Sequence, residues 1–224
     1  MIILTALHII SGALAVLAGA LAVSVRKGGD LHIRTGRWFV GLMALSSLSG
    51  AVLGLIRFED FFITFFAGLL GAYLVISGWV TAQSSATPRP RLDVTLSLTN
   101  AFTFLSLIAL GAMALNREDG AMFGFASENY LFLAGMSGIA LIGDISRIFR
   151  AAMSRKHQIA RHLWRMLLGF FIAAGSAFTG PGASAFPEAV QASGVLAVPE
   201  LLILLLMLFY LVKTLATRSK PRPE

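Results

Sequence analysis

The chain has 224 residues, 57% of them apolar and only 13% charged, with a formal charge of +7. A water-soluble domain carries roughly 25% charged residues, so too few polar groups remain to cover an aqueous surface, and lipid is the expected solvent for most of the chain. There is no cysteine, which excludes disulfides, thiolate-bound zinc and iron–sulfur clusters, and the positive charge sits in short segments beside apolar runs, which points to anionic headgroups rather than nucleic acid.

A membrane-crossing helix needs about 20 mainly apolar residues. Seven segments meet or approach this in chain order: Ile2 to Val25, Trp38 to Ile56, Phe61 to Gln83, Val94 to Leu115, Asn129 to Phe149, His162 to Thr179 and Pro199 to Ala216. Arg26 and Lys27 follow the first apolar run instead of preceding it, which is not the charge order of a signal peptide. An uncleaved first helix is therefore expected.

The connecting segments alternate in charge. Arg26 to Arg37, Arg89 to Asp93, the long stretch Ser146 to Met166 and the tail after Lys213 are basic, and the segments between them are not. The long stretch alone holds six of the 18 Lys and Arg. Cationic loops stay on the cytoplasmic side, so an odd count of seven puts the N-terminus outside and the C-terminus inside, with only Arg57 and Arg117 on the outer face. The expected fold is an all-α integral membrane bundle of seven transmembrane helices: one domain over 1–216 and a disordered basic cytoplasmic tail over 217–224. Small residues tell which helices meet. His8, Ser11, Gly12, Ala15, Gly19 and Ala22 share one face of the first helix, and Ser46, Gly50 and Gly54 recur in the second, a pattern that lets backbones approach closely in lipid.

Four histidines are the first candidates for chemistry. His8 lies near the outer end of the first helix, while His32, His157 and His162 lie towards the inner face, His32 and His157 in basic loops and His162 opening the sixth helix. His32 and His162 both precede a helix on the inner side and can meet. Two facing imidazoles can ligate a b-type haem, with Arg37 and Arg165 available for its propionates. The competing reading is that these side chains sit at the interface and bind lipid phosphate. On the outer side His8 and Glu200 can form a site for a small or lipidic ligand. Asp144 is expected to pair with Arg147 three residues on. Asn100 is expected to make a helix–helix hydrogen bond, and the tryptophans with Tyr130 and Tyr210 an aromatic belt. Lys213 stands at the end of the last helix, so no retinal Schiff base is expected. No phosphate-cradling or metalloprotease motif occurs, and no metal site is expected.

Three stretches carry a resemblance: Leu7-His8-Ile9-Ile10-Ser11-Gly12, then Arg26 to Gly29 with Leu31-His32-Ile33-Arg34-Thr35-Gly36-Arg37, then Arg161-His162-Leu163-Trp164-Arg165-Met166. Together they resemble a bacterial multi-pass membrane family known only as a domain of unknown function. The resemblance implies a bacterial cytoplasmic (inner) membrane as the location, and His8, His32, Arg37, His162 and Arg165 as the positions to watch. Leu163 and Trp164 stand where that family often has paired His and Arg. It implies no activity. Three function classes follow: a non-catalytic membrane component that binds lipid or a partner, a haem-binding redox protein using His32 and His162, and a carrier or sensor with an outer site at His8 and Glu200.

Overall fold

A computed structural model describes residues 1–83, 90–149 and 153–216. The expected tail at 217–224 lies outside the described residues. The described chain is a helical bundle: α1 (Ile2–Ser24), α2 (Asp30–Ile56), α3 (Phe58–Gln83), α4 (Pro90–Leu115), α5 (Ser127–Ile148), α6 (Arg155–Ala174), a short α7 (Glu188–Ala192) and α8 (Val198–Ala216). A two-residue hairpin, β1 (Ala121–Met122) with β2 (Phe125–Ala126), joins α4 to α5. There Asp119 accepts a hydrogen bond from the Ala121 N–H at 3.2 Å. That bond, with help from Arg117, holds the Asp119 carboxyl below the usual carboxylate range.

Among the described residues six helices are long and apolar enough to cross a membrane: α1 to α5 and α8. The expected sixth span, α6, is not among them by composition, because Arg155, Lys156, Arg161 and Arg165 fall within it. It continues through one wide π-helical turn, Gly175–Thr179, before the chain breaks at Gly180-Pro181.

Helix ends reach further than the apolar runs. Helix α2 starts at Asp30, an acid in the first turn that suits the helix dipole, so His32, Arg34 and Arg37 are helical rather than in a loop. Likewise Ser154 caps α6 by accepting from the His157 N–H. This places His157, expected in a loop, in the first turn and His162 two turns in. Most of the basic stretch Ser146 to Met166 is therefore helix.

Helix α3 lies at the centre, packed on α2, α4, α5 and α6, while α6 also meets α1 and α8, and α1–α2 and α4–α5 form pairs. The expected α1–α2 neighbourhood holds: a Cβ at Gly12 would stand 2.9 Å from Ser46 Oγ. At Gly54 it would stand 2.5 Å from the Phe65 backbone nitrogen, so α2 and α3 touch almost backbone to backbone. Across α4–α5, the Asn100 amide donates to the Ser137 carbonyl at 3.0 Å and Ser137 Oγ donates back to Asn100 Oδ1 at 2.8 Å. Tyr130 departs from the expected belt: it is fully buried, and its hydroxyl donates to the Met122 carbonyl in the hairpin. Trp38 is on the surface of the bundle, 68% exposed.

Candidate functional site

Polar side chains at every fourth residue of α3, Tyr73, Ser77 and Thr81, form a stripe along one face. Arg161 and Arg165 on α6 have the same spacing, and Asp144 on α5 faces both. The Asp144 carboxylate accepts from Arg161 Nη2 at 2.6 Å and Arg165 Nη2 at 2.7 Å on one oxygen, and from the Tyr73 hydroxyl at 2.5 Å on the other. Arg161 also donates to Thr81 Oγ1 and the Gly143 carbonyl, and Arg165 to Ser77 Oγ and the Ala140 carbonyl. The Arg165 guanidinium lies over the Tyr73 and Trp164 rings at 5.0 and 5.1 Å. All three charged residues are buried.

Two guanidiniums thus share one carboxylate, and the cluster carries one excess positive charge in a place where unpaired charge is costly. Arg165 Nε is the one buried side-chain N or O atom with no partner among the described residues. This corrects the expected i,i+3 pairing of Asp144. Arg147 turns instead to α4 and meets Asp93 at 3.6 Å. The arrangement clamps α3, α5 and α6 together and encloses charges that would otherwise face lipid.

The two inner histidines sit beside this clamp. His162 Nδ1 lies 3.0 Å from the Gly78 carbonyl oxygen on α3, and His32 Nδ1 lies 3.0 Å from the Ala22 carbonyl oxygen at the end of α1. A carbonyl only accepts, so each ring donates from Nδ1, which in the neutral imidazole leaves the lone pair on Nε2. Gly54 faces Phe61 and Phe65, Gly68 faces Ser47, and Gly78 faces His162 and Arg165, so α3 runs antiparallel to both α2 and α6. Helices α2 and α6 therefore run in the same sense. They touch through Phe39 and Phe170, whose ring centroids are 5.9 Å apart. His32 precedes Phe39 by about 10 Å of helix and His162 precedes Phe170 by about 12 Å, so both imidazoles stand at the same level.

The other expected site residues are placed differently. Arg37 is exposed and lies about 140° around α2 from His32, since five residues separate them. Arg165 has its guanidinium committed to the clamp. On the outer side, His8 Nδ1 donates to the Ser46 carbonyl at 2.8 Å, whereas Glu200 accepts from Thr179 Oγ1 beside Gly175. No hydrogen bond or ion pair joins His8 to Glu200 among the described residues. Tyr73, Ser77 and Thr81 were not singled out from sequence, and Arg161 stood out only as part of the stretch around His162. No group of three or more His, Cys, Asp or Glu able to hold a metal ion occurs among the described residues.

No protein-family model matches the chain, and neither a curated protein nor a solved structure is similar to it.

Proposed function

We propose that the chain crosses a bacterial inner membrane seven times, N-terminus outside, and holds a b-type haem at its inner face between His32 and His162, as an electron-transfer component. The crossing count rests on α6. With its π turn it runs unbroken from 155 to 179, about 37 Å of helix and longer than the roughly 30 Å of hydrocarbon. Its two mid-helix arginines are spent on Asp144, so they make the segment look polar without exposing charge to lipid.

The haem reading is carried by one observation: two imidazoles at one level, on helices running the same way, each with Nδ1–H anchored to a backbone carbonyl and Nε2 without a hydrogen-bond partner among the described residues. Iron-ligating histidines are held in this manner, the second-shell bond fixing tautomer and ring orientation. The donor set fits the group, which when bound supplies reversible one-electron transfer. The chain's own part is to orient the rings. Ala22 and Gly78 hold them by hydrogen bonds, and the Asp144 clamp holds α6 so that His162 keeps its level. Arg37 and Arg165, first expected as propionate partners, have other surroundings, and Arg165 serves His162 by fixing the helix that carries it.

The lipid- or partner-holding reading draws on exposed cations such as Arg34 and Arg37, since Arg147, Arg161 and Arg165 are buried. The deciding experiment is a reduced-minus-oxidised visible spectrum of protein purified after expression with haem supplied. A low-spin haem signal is expected in the parent, in His8→Ala and in His157→Ala, and its loss in His32→Ala and in His162→Ala. A colourless parent removes the haem reading and leaves the non-catalytic one.

A further inference from the structure

An apolar groove runs along the outer seam of α1 and α2. Its walls are Leu17 and Leu21 on one side and Thr35, Trp38 and Leu42 on the other, its floor is Ala18, and its volume is about 330 Å³. We propose that it is a binding site for one anionic phospholipid, an acyl chain lying in the groove and the phosphate meeting Arg34. The proposal is independent of the haem reading and takes only the name of the leaflet, the inner one, from the orientation above.

Three observations select this occupant. The groove offers a guest almost no polar atom: the Thr35 hydroxyl is already donated to the Leu31 carbonyl at 2.7 Å. A cation stands beside one end of it. Arg34 precedes Trp38 by one helical turn and so shares its face of α2, and both are exposed. Neither the Arg34 guanidinium nor the Trp38 indole N–H has a partner among the described residues, and indole at a membrane edge takes headgroup oxygens. Lastly, the groove runs from the level of Arg34 towards the middle of α2. From Arg34 to Leu42 is about 12 Å of helix, so a phosphate at Arg34 leaves its chain running beside Trp38 to Leu42. Asp30 stands one further turn away, makes no ion pair with Arg34 among the described residues, and lies in the first turn of α2, where the helix dipole favours an acid. Arg34, with its guanidinium open, fits a phosphate there.

Trp38 reports on the site directly. Purified protein in detergent is titrated with phosphatidylglycerol or phosphatidylcholine brominated on the same acyl chain, and emission is compared with Trp38→Phe to isolate the Trp38 signal. Phosphatidylglycerol should quench at a lipid ratio roughly five-fold lower, the preference that one interfacial cation gives. Arg34→Gln should abolish that preference, and Arg155→Gln, an exposed cation on α6, should keep it. Leu17→Phe, at a lipid-facing position, should fill the groove and weaken quenching by both lipids. Equal quenching by the two lipids in the parent overturns the proposal. So does an Arg155→Gln loss as large as that of Arg34→Gln, which would mean general surface charge. Relief of quenching by glycerol phosphate would point to a phosphate site without a chain, and would overturn it as well.

Discussion

Replacing Asp144 with Asn tests whether the bundle is held by its buried clamp. The substitution keeps the shape and one acceptor oxygen but removes the single negative charge between Arg161 and Arg165. Both guanidiniums are essentially out of solvent, at 8% and 0% side-chain exposure, so neither can recover hydration in place. Breaking a buried ion pair by removing one partner costs about 3–5 kcal/mol, most of it the cost of the charge left behind. For a chain of this size that is roughly 6–20 °C of melting temperature. Tyr73→Phe removes one hydrogen bond to the carboxylate and leaves both ion pairs, so it should cost less, about 1.5–3 kcal/mol. Replacing all three charges together, Asp144→Leu with Arg161→Met and Arg165→Met, should recover most or all of the loss, because a packed apolar core of similar volume needs no desolvation. The assay is thermal unfolding in detergent followed by circular dichroism. An Asp144→Asn protein that melts with the parent refutes the reasoning, as does a triple variant less stable than Asp144→Asn alone.

Two other outcomes follow from local geometry. Gly54→Ala should destabilise by about 1–3 kcal/mol in the same assay, since its Cβ meets backbone atoms of Phe61 and Phe65 that cannot swing aside. Gly36→Ala in the same helix meets nothing within 4 Å and should be neutral or stabilise by up to about 1 kcal/mol. In the hairpin, the lowered Asp119 pKa means that its bond to Ala121 adds stability above the ordinary carboxylate value, about 3.9, which is lost as pH falls through the lower folded value. The Ala121 amide resonance should shift below about pH 4 in the parent and stay flat in Asp119→Asn.

The six most apolar helices could be read from hydropathy, and the α1–α2 seam from its small residues, because burial in lipid and close backbone approach each leave a compositional trace. The basic stretch was harder. Arg161 and Arg165 look like surface cations because in water they would be. Only Asp144, 17 and 21 residues earlier on another helix, turns them inward, and no local spacing announces a partner at that distance. Tyr73 was hidden for the same reason: a tyrosine within an apolar run reads as core until its acceptor is known. The helix ends were misplaced because interfacial turns such as Asp30 to Arg37 are polar yet fully helical, held by an acid in the first turn and by the His32 bond to Ala22. The level of His32 with His162 could be anticipated from loop order, whereas the carbonyl that anchors each ring could not.

Whether α6 crosses the membrane decides the orientation and the leaflet assigned to every site, and the parity of crossings shows it. A reporter that is active only outside the inner membrane, paired with one that is active only in the cytoplasm, should be fused in turn to each end of the full chain. Seven crossings put the N-terminal fusion outside and the C-terminal fusion in the cytoplasm. Both ends on one side would mean that α6 does not cross, and would contradict the account.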